Sequence, residues 1–193
     1  MATVQASPNP RILVVGDSLS AEYGLARGTG WVALLQNQLD QQKPGAQVIN
    51  ASISGDTTSG GRSRLPALLK RHQPSHVVIE LGGNDAMRGL PMAMTQANLL
   101  DMTQKSQSAG AKVLLLGMQM PPNYGAVMAR QFEAAFTQVA KSQKAALVPF
   151  FLKGVGDDPD PLKWFQADRI HPNEAAQPRM LANVWPVLSP MLK

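Results

Sequence analysis

The sequence predicts an α/β protein, a three-layer α/β/α sandwich built around a five-stranded parallel sheet. Five short runs rich in Val, Ile and Leu, with few polar interruptions, suit strands buried on both faces of a parallel sheet. Segments with helical spacing of apolar residues lie between them, and this regular strand–helix alternation calls for right-handed crossovers. With 193 residues, of which 44% are hydrophobic and 16% charged, the chain suits one domain with a sizeable core; disordered and fibrous classes are set aside.

The elements follow in order. After "MATVQASPNP" (1–10), read as a flexible N-terminal segment of a single 1–193 domain, "RILVVG" (11–16) forms the first strand, and Gly16-Asp17-Ser18 stops it abruptly with a turn. A helix over about 30–42 places Trp31, Leu34, Leu35 and Leu39 on one face. The strand "AQVINAS" (46–52), a helix over 58–72, the strand "HVVIELG" (76–82) and a helix over 92–109 come next. Then follow the strand "KVLLLGM" (112–118), a helix over 126–143, the strand "ALVPF" (146–150) and a last helix over about 173–189. The Pro/Asp-rich "GDDPDPLK" (156–163) reads as a surface loop.

Composition excludes several functions. The chain has no cysteine, so thiol nucleophiles, disulfides and thiolate metal sites are absent. The net charge of +5 is the difference between 18 basic and 13 acidic residues, and the basic ones are scattered, a pattern of solvated helix faces rather than of a nucleic-acid partner. No apolar run approaches the roughly 18 residues of a membrane span, so no stable membrane insertion is expected. The first ten residues lack the basic start and apolar core of a signal peptide.

In open α/β sheets ligands bind beyond the carboxyl ends of the strands, and Ser18 stands at such an end. A serine there could simply cap a following helix; as a nucleophile it needs a base within hydrogen-bond reach and a group to orient that base. Of three histidines, His72 closes a helix, where a cation is stabilising, and His76 enters the third strand on the opposite edge. His171, in "ADRIHPNEA" (167–175), remains, with Asp168 one turn earlier to fix its tautomer. Both residues could instead cap the last helix, as could Asn173. Three donors are candidates for an oxyanion hole: the Ser18 N–H if a helix begins just after it, the Gly55 N–H in "SISGDTT" (52–58), and the Asn84 amide in "LGGNDAM" (81–87). Each alone reads equally as a turn. Together they all leave carboxyl ends of predicted strands, as one shared site requires.

These blocks, Gly16-Asp17-Ser18-Leu19-Ser20, Gly55-Asp56-Thr57, Gly82-Gly83-Asn84-Asp85 and Asp168-Arg169-Ile170-His171-Pro172, resemble the GDSL, or SGNH, hydrolases. Ser18, Gly55, Asn84 and His171 fall on the four lettered positions. "GMQMPPNYG" (117–125), "LVPFF" (147–151) and "DRIHPNEAAQP" (168–178) further resemble the bacterial multifunctional thioesterase, lysophospholipase and arylesterase group. The resemblance implies a flavodoxin-like sheet, no cofactor, a shallow acyl site, a loop over "DAMRGLP" (85–91) that shifts when an acyl chain binds, and export to the periplasm. It places Met118 and Tyr124 beside Leu19, Gly55 and Asn84 in an acyl groove.

The expectation is therefore a monomeric hydrolase of small-molecule esters, thioesters or lysolipids, working through an acyl-enzyme on Ser18. The alternatives are a carbohydrate O-acetylesterase with the same triad, and a non-catalytic module holding phosphate or a nucleotide at helix N-termini.

Overall fold

The computed structural model describes residues 9–120 and 124–193. Most of the N-terminal segment therefore lies outside the described residues, as do 121–123 of the 117–125 loop. The five strands are β1 (Arg11–Gly16), β2 (Gln47–Asn50), β3 (His76–Glu80), β4 (Lys112–Leu116) and β5 (Ala146–Val148), all parallel in the order β2-β1-β3-β4-β5. That flavodoxin-like order reverses its direction of winding between β1 and β3, and ligand crevices open at such a switch point. Register matters here: Gly16 at the end of β1 lies opposite Glu80 at the end of β3.

Strand residues alternate between two cores, as pleating requires. Ile12, Val14, Val78, Leu114 and Leu116 pack beneath α1 (Trp31–Gln42) and α6 (Gln177–Met191), with Trp31 edge-on to Phe151. On the other face Leu13, Val15, Val77, Ile79, Val113 and Leu115 meet α2 (Thr58–His72), α4 (Met92–Ser108) and α5 (Ala126–Gln143). His76 pins the amino-terminal edge, its ring nitrogens 2.8 Å from Ser75 Oγ and from the carbonyl of Met191. No described helix is long and apolar enough to cross a membrane.

Four details depart from the sequence-based expectation. The residues after Ser18 form consecutive turns rather than a helix, since α1 begins only at Trp31. The unpredicted α3 (Gly83–Met87) follows β3 directly. Pro161–Trp164, expected as loop, form a 3-10 turn, with Asp158 accepting from Trp164 Nε1 at 3.0 Å. The last helix is preceded by a separate 3-10 turn, Glu174–Ala176, capped by Asn173, and α6 proper starts at Gln177 with Pro178 in its first turn, where a missing N–H costs nothing.

Candidate active site

Ser18 lies two residues beyond β1, in a turn made by Asp17: Asp17 Oδ1 accepts the Leu19 N–H at 3.0 Å and the Asp17 carbonyl accepts that of Ala21 at 2.9 Å. Gly16 is required just before it, because a Cβ there would stand 2.7 Å from Glu80 Oε2 and 2.8 Å from Ser20 Oγ. Ser18 caps no helix; Gly30 occupies the N-cap of α1. Its Oγ instead lies 2.9 Å from His171 Nε2, across 153 residues of sequence.

His171 is carried by a hairpin-like excursion between the last strand and the last helix. Phe165 and Pro172 bridge antiparallel, Gln166 N–H donates to the His171 carbonyl at 2.8 Å, and Arg169 takes a left-handed φ of 59° at the tip. Asp168 serves this turn twice. Its Oδ1 accepts from the backbone N–H of Ile170 (2.9 Å) and of His171 (3.0 Å), and its Oδ2 lies 2.6 Å from His171 Nδ1. The bond to His171 and those two backbone donors pull the Asp168 carboxyl down to about 2. It is therefore ionised near neutrality, so Nδ1 carries the imidazole proton and Nε2 is left to accept from the Ser18 hydroxyl.

The three candidate oxyanion donors follow three neighbouring strands: Ser18 after β1, Gly55 after β2 and Asn84 after β3. Among the described residues the N–H groups of Ser18 and Gly55 donate to no protein acceptor. Gly55, at φ 79°, turns the 52–58 loop, and Arg88 Nη2 holds its carbonyl at 2.7 Å. Asn84, on α3, differs from expectation in that both its amide hydrogens are engaged: Nδ2 donates to Asp17 Oδ2 at 3.0 Å and to the Asp56 carbonyl at 2.9 Å. An oxyanion must share or displace one of these. Asp56 is itself fixed by Arg64, whose Nε stands 2.8 Å from Oδ2. The next residue, Asp85, is fully buried and accepts from the Thr58 N–H at 2.9 Å, tying α3 to the start of α2.

Of the expected acyl-groove residues, Leu19 and Met118 are half-buried against the core and Tyr124 is 38% exposed. Their side chains take no part in the hydrogen bonds around Ser18; only the Leu19 backbone N–H does, through Asp17. Two further residues emerge that sequence reading passed over. Tyr23 lies against the His171 ring, with centroids 4.3 Å apart at 40°, and its carbonyl accepts from Gln166 Nε2 at 2.8 Å. Glu80, at the end of the central strand, is 1% exposed and accepts from Ser20 Oγ at 2.8 Å.

Residues 14–178 match the model of the GDSL-like lipase/acylhydrolase family. The chain belongs to that family. It is 56% identical to esterase TesA of Pseudomonas aeruginosa over 94% of this chain and 89% of that protein. It is 42% identical to thioesterase 1/protease 1/lysophospholipase L1 of Escherichia coli over 92% of this chain and 83% of that one. The crystal structure of the psychrotrophic esterase EstA from Pseudoalteromonas sp., inhibited by monoethylphosphonate, superposes with a TM-score of 0.88 at 40% identity, covering 95% of this chain and 99% of that one. This family member thus has relatives at both ends of acyl chemistry, ester and thioester.

Proposed function

We propose that this protein is a serine hydrolase of carboxylic esters and thioesters that works through an acyl-enzyme. The observation that carries the reading is the unbroken relay from Asp168 Oδ2 to His171 Nδ1 at 2.6 Å and from His171 Nε2 to Ser18 Oγ at 2.9 Å. A hydroxyl is a weak nucleophile until a neighbouring base takes its proton. Ser18 attacks the acyl carbon while His171 Nε2 accepts the Ser18 proton; Asp168 steadies the imidazolium and does not itself become protonated. His171 then returns that proton to the departing alkoxide or thiolate. Water, deprotonated by His171, opens the ester on Ser18 in the second half.

Charge on the tetrahedral oxygen is taken up by the N–H groups of Ser18 and Gly55 and by Asn84, which exchanges the Asp56 carbonyl for the oxyanion. The N–H groups of Ser18 and Gly55, which give up no protein acceptor among the described residues, cost the least reorganisation when charge develops. The tetrahedral phosphonate on the related esterase supports this choice of chemistry. Substrates are small molecules: esters, thioesters and lysophospholipids, as the relatives' names suggest, with aryl esters and thioesters of the acyl-CoA type among them. Leu19, Met118 and Tyr124, with Gly55 and Asn84, line the acyl groove. The protein acts as a monomer in the periplasm, in lipid metabolism, and this placement rests on family resemblance.

Stoichiometric labelling with a fluorophosphonate, followed by peptide mass spectrometry, tests the reading. Labelling is expected at Ser18 and is expected to vanish in folded His171→Ala protein. Failure of folded parent protein to label would remove Ser18 as nucleophile.

A further inference from the structure

Two carboxyl groups, Asp17 and Glu80, are buried together directly beneath the Ser18 turn, at 3% and 1% exposure. Neither takes part in an ion pair among the described residues. Two adjacent buried carboxylates without a cation cannot both be ionised at acceptable cost, so the pair holds a proton.

The hydrogen bonds say where it resides. Asp17 accepts at both oxygens, Oδ1 from Leu19 N–H and Oδ2 from Asn84 Nδ2. Glu80 accepts only at Oε2, from Ser20 Oγ at 2.8 Å and from the Asp17 N–H at 3.3 Å. The Ser20 oxygen accepts from Trp31 Nε1 at 3.1 Å, and its one hydrogen is directed at Glu80 Oε2. Among the described residues, Oε1 of Glu80 is the one carboxyl oxygen of the four that no donor occupies, and it is the oxygen on which a proton fits.

We propose that Glu80 is a positioning residue that works as the neutral acid. Its Oε2 anchors the turn bearing Ser18, and by keeping the proton of the pair it leaves Asp17 an ionised acceptor, so that Asp17 holds the Asn84 amide in the oxyanion site. The inference rests on the hydrolase reading above for its catalytic consequence, but not for the protonation state itself. Burial, and the charge of Asp17, push the Glu80 carboxyl well above its usual range; burial raises Asp17 to about 6. The same order follows from the donor count.

The other charged groups around the pair are committed elsewhere. Arg64 of α2 binds Asp56 and the carbonyls of Ala51 and Gly16, Asp85 of α3 binds Thr58 and Thr95, and Glu22 accepts from Gly28 and Gly30. His171, beyond Ser18, favours the charged form of Asp17. On the α1 and α6 side the neighbouring groups are the uncharged Trp31 and Ser20.

Glu80→Gln and Glu80→Ala test the inference. A Gln can accept at Oε1 and donate at Nε2, reproducing the neutral acid. Infrared difference spectra of the parent at neutral pH should contain the carbonyl stretch of a buried protonated carboxyl, absent from Glu80→Gln; this needs no substrate and so stands apart from the hydrolase reading. Glu80→Ala is expected to lose about 10²-fold in kcat, the scale of an ångström-sized misplacement, and Gln should restore most of it. In a double-mutant cycle the Ala losses at Glu80 and Asn84 should be less than additive. Parent activity should fall at alkaline pH where Glu80→Gln activity does not. A missing carbonyl band, a Gln variant as depleted as Ala, additive losses or superimposable alkaline profiles would each overturn the proposal. Should Glu80→Ala fail to fold, the spectrum and profile of Glu80→Gln decide alone.

Discussion

At the scale of single residues, His171 is held by more than its two relay partners. Asp168 fixes Nδ1 from one edge, while the face of the imidazole rests on Tyr23, 50% exposed yet only 4.3 Å away between ring centroids. An aromatic contact of this kind is worth about 0.5–1.5 kcal/mol, enough to bias a ring between rotamers. Tyr23→Ala is accordingly expected to lower kcat about two- to tenfold with little change in KM, and Tyr23→Phe to retain the parent value. Steady-state kinetics on one ester would check this, and an equal loss in Phe would reassign the effect to the hydroxyl. That Ser18, His171 and Asp168 come together was legible in sequence, because three histidines reduce to one when strand edges are known. Tyr23 was not: nothing in "SLSAEYG" says which ring it will meet, since its partner comes from 148 residues away. Glu80 did leave a signal, a carboxylate ending the apolar strand "HVVIE", all five of whose residues are buried. A charge costs too much there unless it is neutralised or paired.

At the scale of elements, the site is assembled by loops whose geometry depends on a few backbone conformations. The strands β1, β3 and β4 were readable because burial on both sheet faces leaves an unmistakable apolar run, and the helices over 58–72 and 126–143 from their periodicity; the edge strands β2 and β5, expected to be buried on both faces, are half-buried or exposed except at Val148, because no further strand covers them. The five residues of α3 were not, since Gly-Gly-Asn-Asp are turn formers and only the buried Asp85, bonded to Thr58 and Thr95, secures a helix there. Gly55 tests how far loop geometry governs chemistry. A Cβ at that position would meet only Arg88 Nη2, at 3.6 Å, so space is available, but φ is 79°. A left-handed L residue costs about 1–2 kcal/mol, and relaxing that strain would swing the Gly55 N–H away from the oxyanion. Gly55→Ala should therefore lose both stability, by about 1 kcal/mol in urea unfolding, and kcat. Unchanged kcat in a destabilised protein would take Gly55 out of the oxyanion hole.

At the scale of the whole molecule, the same carboxyls that organise the site set how stability varies with pH, and they pull in opposite directions. Asp168 is lowered to about 2 by His171 and backbone donors, so its contribution is present above the ordinary carboxylate value and is lost as pH falls through that range toward 2. Asp17 is raised, to about 6, chiefly by burial. Between about 4 and 6 the folded protein binds a proton at Asp17 that the unfolded chain has released, so stability from this group declines as pH rises through that window and stays lower above it. The neutral isostere removes the dependence. Asp17→Asn is expected to gain on the parent as pH is raised from about 4 to 7, by an amount on the order of 2 kcal/mol at one pKa unit per 1.36 kcal/mol, while losing the acceptor that holds Asn84 and with it turnover. Urea unfolding of both proteins across that range checks the sign. Parallel curves would mean that Asp17 titrates alike in the folded and unfolded protein, so that burial does not penalise its charge, and a parent that gains on Asp17→Asn with rising pH would mean that its charge is stabilised rather than penalised. The expected result, a more stable and less active protein, would identify the buried charge beneath Ser18 as a stability cost retained for placing the oxyanion donor.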